Sequence, residues 1–330
     1  MEEIKTNRIN GFLSLNHYFF EKLGREFIDL EDLYINGLIE YEVDGLSDKF
    51  WILSDSGERI ALYKEEVSGD NGAYTELLVE EIAHIMDIPA AHYDLAMFGV
   101  KKGVISYNFL KNANSNYSGF DVISEFYENK LENDPELSSL YNIDYNNDTI
   151  DDVCDKLNNL QDIWCILEER FKDEPNKTKK VKNIMEGLVN KLMLDVVVGS
   201  FDSHCDNWKI VDDKSVSPVF DNSRSLGLQA KYMKTNGIKD STLLFTVDNE
   251  NINKPLEVLN YFIKISSSEY KDMFVEKVNK LKDNYENIPS VIEKRTECSM
   301  PENLKQHFLT IMTEHLESIN QVVNSKRSIK

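Results

Sequence analysis

The sequence has few cysteines, no long apolar run and no leader-like N-terminus, and each absence excludes a class of protein. Its four cysteines among 330 residues have neither the spacing of a metal site nor the density of a disulfide framework. No window approaches the roughly 18 consecutive apolar residues that a membrane helix needs. The first residues, MEEIKTNRIN, lack the basic start and apolar core of a secretory signal. These absences predict a cytoplasmic protein of a reducing compartment with no membrane partner, and they leave open export or delivery to a host cell.

Basic residues are scarce relative to acidic ones. The 37 Lys and Arg against 58 Asp and Glu give a net charge of −21, which repels phosphate backbones. Because no basic patch is visible, the sequence predicts no direct nucleic-acid partner. Nine acidic residues lie between Glu128 and Asn158, opposed there only by Lys130 and Lys156. This acidic segment is predicted to be a solvated insertion with short helical pieces, and a docking surface for a basic partner is the less favoured alternative.

The sequence does contain enough apolar material for a large core, arranged with two different periods. Hydrophobic residues make up 41% of the chain. In the first third, the pattern predicts strands at 50–55 and 59–66, a helix at 71–88 and a second hairpin before residue 110. From about residue 120 apolar residues recur at helical spacing, interrupted by one hairpin that ends near residue 221. The prediction is an α+β protein of two lobes, a small β-rich N-lobe at 1–110 and a larger helical C-lobe at 111–330.

A cluster of polar residues follows the most apolar predicted helix. The stretch GSFDSHCDNWKIV, from Gly199, places Asp202 and Asn207 as D-x-x-x-x-N, and the hairpin after it ends in Asp221. Phosphoryl transfer needs a carboxylate that orients the attacking hydroxyl, and an amide oxygen and a second carboxylate that hold magnesium on the nucleotide phosphates. The cluster is therefore a candidate site for ATP and Mg²⁺. For the loop taken alone, a capped helix end followed by a polar turn is the favoured interpretation.

The β-rich lobe favours the catalytic interpretation. Lys64 ends an apolar strand and Glu76 lies in the following helix, the layout of a strand lysine that pairs with a helix glutamate and reaches the phosphates of ATP. The turn DGLSDKFW, with Gly45 and Ser47, stands where a phosphate-covering loop belongs. Each element alone is a weak signal. Their order, from loop to strand lysine, helix glutamate, hinge strand, catalytic loop and metal aspartate, predicts a two-lobed protein-kinase-like fold.

Two motifs carry a family resemblance. GSFDSHCDNWKI followed by SPVFDNSRSLG resembles the HipA-like kinase family, whose signature is N-x-D-x-H-x-x-N, a hairpin and a Pro-aromatic-Asp segment. The short, stand-alone members of that family are more similar in length and in the DNxxSLG ending. DGLSDKFWIL resembles the family's G-x-x-x-K loop and ELLVEEIAHIMDIPA its glutamate-bearing helix, so the resemblance spans roughly residues 40 to 230.

The resemblance implies a role for each matching position. Asp202 would be the catalytic base, and His204 would contact a nucleotide phosphate. Asn207 and Asp221 would bind magnesium. The other ATP-binding positions that it implies are the loop residues Gly45, Leu46, Ser47 and Lys49, the pair Lys64 and Glu76, the hinge residues Ile105, Ser106, Tyr107 and Asn108, and Phe220 beside the adenine.

The sequence departs from the family pattern at three places. Ser200 stands where the signature has asparagine, so the support that this amide gives the loop must come from elsewhere or be absent. The phosphate-covering loop has a single glycine. The chain also lacks room for the extra N-terminal subdomain with which the long, toxin-type members pack against an antitoxin. This puts a toxin–antitoxin role in doubt and leaves the expected chemistry unchanged.

The expected function is that of an ATP- and Mg-dependent serine/threonine protein kinase of HipA-like type, able to phosphorylate itself. Its partners would be a protein with a Ser or Thr acceptor and an antitoxin-like or host protein. One alternative is a small-molecule or lipid kinase on the same fold, because fold does not fix substrate. The other is a catalytically inactive protein that binds nucleotide or only a partner. Ser200 and the glycine-poor loop keep this second alternative open, although Lys64, Asp202, Asn207 and Asp221 are all present.

Overall fold

The structure is a computed structural model that describes residues 28–29, 39–42, 49–54, 56–66, 71–144, 146–228, 238, 241–248 and 252–325. The predicted phosphate-covering residues Gly45, Leu46 and Ser47 lie outside these described residues. Within them, no helix is both long and apolar enough to cross a membrane.

The N-lobe contains six described strands. They are β1 Ile28–Asp29, β2 Ile39–Glu42, β3 Lys49–Leu53, β4 Arg59–Glu65, β5 Tyr93–Phe98 and β6 Lys101–Tyr107. The strands form one sheet in the order β1-β5-β6-β4-β3-β2. Both predicted hairpins are confirmed, since β3 pairs with β4 and β5 with β6 in antiparallel fashion. Alternation along the strands places Phe50, Ile52 and Tyr63 in one apolar cluster.

Helix α1, Gly72–Ile85, confirms the helix predicted at 71–88 and ends three residues earlier. Its apolar residues recur at three- and four-residue spacing, so that Leu77, Leu78 and Ile82 are fully buried in the main core beside strands β5 and β6. The same helix carries Glu76 and Glu80 into the interior, where each is 1% exposed. A carboxylate buried to this degree requires partners, and these bring the site together.

The C-lobe is helical around a small three-stranded sheet of order β7-β8-β9. Its described helices are α2 Gly119–Phe126, α3 Pro135–Leu140, α4 Ile150–Leu157, α5 Leu160–Arg170, α6 Lys177–Val198, α7 Pro255–Ile265, α8 Ser268–Lys282, α9 Ile288–Thr296 and α10 Glu302–Ser325, and its strands are β7 Asn116–Ser118, β8 Lys209–Val211 and β9 Ser215–Val216. The predicted hairpin is confirmed as β8 and β9. Beyond β9 the chain bonds to the N-lobe, because the Val219 N–H donates to the carbonyl of Pro89 and the Ala91 N–H to the carbonyl of Val219, both at 2.8 Å.

Helix α6 is the long apolar helix that the sequence predicts, and its end fixes where the polar loop begins. The helix closes on Gly199 in the left-handed conformation, with φ of 60°. A Cβ at this position would lie 2.7 Å from Ile238 Cγ2 and 2.9 Å from Ser241 Oγ. Glycine is therefore required both by the backbone conformation and by the close approach of Ile238 and Ser241.

The acidic segment 128–158 contains short helical pieces, as predicted, but it is more than a solvated insertion. Helices α3 and α4 lie within it, and Asp151 and Asp152 of α4 face solvent. The opposite face of α4 places Val153, Cys154 and Leu157 in the main core. Because α4 has an acidic outer face and a buried apolar inner face, it forms part of the C-lobe packing.

Replacing Gly119 with alanine is expected to destabilise the protein. A Cβ at Gly119, the first residue of α2, would lie 2.3 Å from the indole carbons Cε2 and Cζ2 of Trp208 and 2.5 Å from the Cys205 carbonyl oxygen. Since these neighbours are themselves buried, we expect Gly119→Ala to lower the free energy of unfolding by about 1–3 kcal/mol. Urea denaturation of the two proteins measures the difference, and an unchanged midpoint would contradict the described packing of Trp208.

Candidate active site

The loop after α6 brings the two members of the D-x-x-x-x-N motif together. The Ser200 N–H donates to the carbonyl of Asp195 at 3.1 Å, which starts the loop, and residues 205–207 form one turn of 3₁₀-helix. Within that loop the Asn207 side-chain amide Nδ2 donates to the backbone carbonyl of Asp202. Asn207 is buried, whereas the Asp202 side chain is 25% exposed. The loop therefore fixes the amide and leaves the carboxylate accessible.

Arg224 and His204 flank the Asp202 carboxylate. Its Oδ1 lies 3.5 Å from Nη1 of Arg224 and 3.9 Å from Nε2 of His204. Hydrogen bonding to Asp206 raises the pKa of His204, and the negative charges of Asp202 and Asp221 add to this rise against the opposing effect of burial. The Arg224 guanidinium, and His204 when it is protonated, bring positive charge next to the candidate base. Arg224 belongs to the segment that follows Asp221, and sequence reasoning did not single it out.

Asp221, at the end of the hairpin, meets the lysine of strand β4. The Lys64 ammonium contacts Asp221 Oδ1 and lies 3.4 Å from the Ser223 hydroxyl. Burial lowers the pKa of Lys64, but the carboxylates of Asp221 and Glu76 outweigh it, so the pKa is raised. Asp221 itself has a left-handed backbone, with φ of 57°, and its N–H donates to the Tyr93 hydroxyl at 3.0 Å. Residues 157 positions apart are therefore joined across the two lobes.

The expected pairing of Lys64 with Glu76 is replaced by the pairing of Lys64 with Asp221. Glu76 instead accepts the Asn222 N–H on Oε2 at 2.8 Å. Burial and then the nearby Asp221 raise the pKa of Glu76 to about 8, and hydrogen bonding from Tyr93 opposes the rise. The buried glutamate therefore anchors the backbone next to Asp221, and the more exposed aspartate takes the lysine.

The raised pKa of Glu76 makes stability depend on pH. The folded protein holds the Glu76 proton up to about pH 8, whereas the unfolded chain releases it near pH 4.5, the ordinary value for glutamate. Between these values the folded state binds more protons, so the free energy of unfolding falls as pH rises through this range. We expect Glu76→Gln, which stays neutral, to flatten this fall. Urea denaturation of both proteins from pH 5 to 8 measures it, and parallel pH profiles would contradict the assignment.

The predicted hinge, residues 105–108, places only part of its side chains towards Lys64. Ser106 lies opposite both Leu62 and Tyr93 in the sheet, on the face that carries Lys64. Ile105 and Tyr107 pack into the apolar cluster of the other face. The backbone N–H groups of Tyr107 and Asn108 already donate to the carbonyls of His92, at 3.1 Å, and Ile60, at 3.0 Å. Reading of an adenine edge by this segment stays a prediction.

The aromatic residue predicted beside the adenine has a partner that the sequence did not indicate. The rings of Phe220 and Phe109 are 5.2 Å apart and tilted by 36°. Phe109 follows the predicted hinge directly and Phe220 precedes Asp221, so this pair links the end of the N-lobe to the segment that carries Asp221. Lys49, the described residue of the predicted loop, lies opposite Lys64 in the pair of β3 and β4.

The donor set fits Mg²⁺ held together with phosphates. Asn207 keeps Oδ1 as an acceptor because its Nδ2 is bonded to Asp202, and Asp221 supplies a carboxylate that is 36% exposed. Oxygen ligands in this small number, completed by substrate phosphates and water, are typical of Mg²⁺. Across the described part of the chain, no group of three or more His, Cys, Asp or Glu side chains is placed to hold a metal ion alone.

The fold and the site together define a two-lobed, protein-kinase-like architecture. No protein-family model and no curated protein sequence matches the chain. Among solved structures the chain is similar to the Helicobacter pylori proinflammatory kinase CtkA, with a TM-score of 0.61 and 15% identity over 92% of this chain and 99% of that one. It is also similar to HipA of the Shewanella oneidensis MR-1 toxin–antitoxin complex with HipB and operator DNA, with a TM-score of 0.51 and 14% identity over 88% and 67% of the two chains. The chain therefore has the fold of the HipA-like kinases.

Proposed function

We propose that the protein is an ATP- and Mg-dependent serine/threonine protein kinase of HipA-like type. Two contacts support the proposal: the Lys64 ammonium meets the Asp221 carboxylate across the two lobes, and the Asn207 amide bonds to the Asp202 carbonyl within one loop. Arg224, three residues after Asp221, lies 3.5 Å from the Asp202 carboxylate and so connects the two pairs. These are the groups that phosphoryl transfer uses, and their assembly from distant parts of the chain is unlike a chance polar turn. The HipA-like fold supports the same reaction class by analogy.

In the proposed reaction Asp202 orients the acceptor hydroxyl and takes its proton. The hydroxyl oxygen bonds to the γ-phosphorus as the bond from that phosphorus to the bridging oxygen breaks, and ADP leaves with the electron pair. Asn207 and Asp221 would hold Mg²⁺, which when bound would neutralise charge on the phosphates. Arg224 and His204 lie beside Asp202 and would be next to the transferred group. Catalysis is thus by positioning and charge neutralisation.

Lys64 has two roles in this proposal. Its ammonium is paired with Asp221, and it would hold a phosphate oxygen when nucleotide is bound, while Asp221 would then hold Mg²⁺. Glu76, which accepts the Asn222 N–H, anchors the backbone beside Asp221. Either arrangement would leave Lys64 and Asp221 each with an opposite charge, which lowers the cost of burying them.

The proposal also covers the group that accepts the phosphate and the protein partners. We expect a Ser or Thr hydroxyl of a protein, including this protein itself, and a protein partner of antitoxin-like or host origin. The similar HipA structure contains HipB, which makes a protein partner a reasonable test case. Small-molecule or lipid acceptors, and nucleotide binding without transfer, are the competing outcomes.

Intact mass spectrometry tests the proposal. The purified protein is treated with phosphatase, freed of it and incubated with Mg-ATP. A gain of phosphoryl groups, mapped by peptide analysis to Ser or Thr, is the expected result. If no phosphate is gained but nucleotide still raises the melting temperature, transfer to the protein itself is excluded, and a screen of protein, lipid and small-molecule acceptors decides among the alternatives. Absence of both effects would refute the proposal.

A further inference from the structure

The catalytic loop has Ser200 where the N-x-D-x-H-x-x-N signature begins with asparagine. The side chain of Ser200 reaches only another residue of the loop, Ser203. The Ser203 hydroxyl donates to the Ser200 hydroxyl at 2.9 Å, and both residues are buried. This bond joins two residues of the same turn. It does not reach beyond the loop. Backbone bonds from the Ser200 N–H to Asp195 and from the Gly119 N–H to Trp208 hold the two ends of the loop, and the middle of the loop, around Ser203, is supported by a further side chain.

That support comes from Asn158, the residue after the last turn of α4. Its side chain is 2% exposed and makes three hydrogen bonds. Nδ2 donates to the carbonyls of Ser203, at 2.9 Å, and Leu244, at 3.2 Å, and Oδ1 accepts the indole N–H of Trp208 at 3.1 Å. Two carbonyls and one N–H can be satisfied by a primary amide in only one orientation, so the partners fix which way the side chain points.

The positions of these partners in the loop give the amide its significance. Ser203 follows the candidate base Asp202, and Trp208 follows the candidate metal ligand Asn207. A single side chain therefore holds the loop one residue beyond each of the two groups whose spacing the chemistry depends on. Within the same loop, the Asn207 side-chain amide bonds to the Asp202 carbonyl. The Trp208 ring also lies against Gly119, so closely that a Cβ at position 119 would be 2.3 Å from Cε2 and Cζ2.

Helix α4 supports the loop at a second point on the same face. Cys154 lies one turn before Asn158 and is buried, as is Cys205 of the loop. Hydrogen bonding with Cys154, together with burial, raises the pKa of the Cys205 thiol. Cys205 is therefore a neutral packing residue between the loop and α4. Helix α4 and the residue after it thus meet the loop at Ser203, Cys205 and Trp208.

We propose that Asn158 is a positioning residue for phosphoryl transfer, which substitutes from helix α4 for the amide that the loop itself lacks. The catalytic consequence rests on the proposed function, whereas the hydrogen bonds from Asn158 to Ser203 and Trp208 are observed in the structure. It also gives the acidic segment 128–158 a role, because that segment carries the residue that sets the distance between base and metal ligand. Preorganised placement of this kind is what keeps reacting groups in productive geometry.

The test compares Asn158→Ala with Asn159→Ala. Asn159 is the adjacent residue, has the same type and is equally buried. Its amide group caps α5, accepting the Asp162 N–H at 3.0 Å and donating to the Asp162 carboxylate at 2.7 Å. Asn158→Asp is included as a variant of nearly unchanged shape, which keeps the acceptor for Trp208 and loses both donors. It serves if Asn158→Ala does not fold.

Two measurements are made on each full-length variant. The first is the rate of phosphate transfer as a function of Mg-ATP. The Asn158 variants are expected to lower the saturating rate by about 100-fold and to change the half-saturating ATP concentration by less than about three-fold. The second is hydrogen exchange followed by mass spectrometry. The Asn158 variants are expected to speed exchange of amides 200–208, whereas Asn159→Ala acts on α5 and transfers phosphate at close to the wild-type rate.

The outcomes separate this inference from the proposed function. If the Asn158 and Asn159 variants lose transfer by similar factors, or if exchange at 200–208 is unchanged in the Asn158 variants, the positioning role is refuted. If the wild type transfers no phosphate to itself or to any acceptor, the proposed function fails. The exchange measurement then decides alone whether Asn158 holds the loop.

Discussion

Replacing Asp202 with asparagine is expected to slow phosphate transfer from ATP by about 10²- to 10⁴-fold, the usual contribution of a positioned general base. The amide keeps the size of the side chain and removes its ability to accept the hydroxyl proton. Asp202 holds no metal in this account, so Mg-ATP affinity is expected to stay within about two-fold of the wild type. Initial rates and equilibrium titration of nucleotide measure the two quantities separately.

Asp206→Asn is the matched control for this prediction. Asp206 lies in the same loop and its side chain is 58% exposed, with its carboxylate 3.5 Å from His204. Because hydrogen bonding to Asp206 raises the pKa of His204, this variant is expected to shift that pKa downward and to keep most of the transfer rate. Equal losses in the two variants would show that general charge in the loop matters rather than a base at position 202.

The second large effect is expected at Asp221. Asp221→Asn removes the carboxylate that is proposed to hold Mg²⁺ and that pairs with Lys64. We expect transfer to fall by on the order of 10³-fold or more, because electrostatic stabilisation of the phosphates is lost. We also expect the gain in nucleotide affinity on adding Mg²⁺ to disappear. Calorimetric titration with ATP, with and without Mg²⁺, measures that gain directly.

Asp213→Asn is the control for Asp221→Asn. Both aspartates belong to the hairpin region and both have left-handed backbones, with φ of 51° and 57°, a conformation that asparagine tolerates well. Both variants therefore replace aspartate with asparagine at a residue in the left-handed conformation. Asp213 lies in the turn between β8 and β9, where it is 3.6 Å from Arg170. If its replacement reduces the Mg²⁺ effect as strongly, Asp221 is not the metal ligand.

The local parts of the site could be predicted from the sequence because each depends on residues close together in the chain. The strands around Lys64, the helix bearing Glu76 and the long apolar helix ending at Gly199 all follow from hydrophobic period and from turn residues, and each is present. Asp202 and Asn207 lie five positions apart, so one turn suffices to join them. Their order with Lys64 and Asp221 also indicated the two-lobed fold correctly.

The long-range contacts could not be predicted. The partner of Lys64 is Asp221 rather than Glu76, because Glu76 is engaged by the Asn222 N–H and sits deeper in the core. This choice depends on the relative burial of two carboxylates 145 residues apart, which no local pattern encodes.

The support of the catalytic loop was equally hidden in the sequence. Asn158 reaches the loop across 45 residues, and in the sequence it is one more polar residue at the end of an acidic stretch. Tyr93, which accepts the Asp221 N–H, reads only as a strand aromatic. Both act through tertiary packing, and their roles become visible only once the lobes are assembled.

Whether the site takes Mg-ATP is decided by the affinity of the wild-type protein for ATP, measured with Mg²⁺ and again with the metal removed by chelation. We expect saturable binding that Mg²⁺ tightens by at least about ten-fold, equivalent to about 1.4 kcal/mol. We also expect Asp221→Asn to abolish this difference. Absence of binding under both conditions, or a Mg²⁺ effect that persists unchanged in Asp221→Asn, would contradict the assignment of the cleft as a Mg-ATP site.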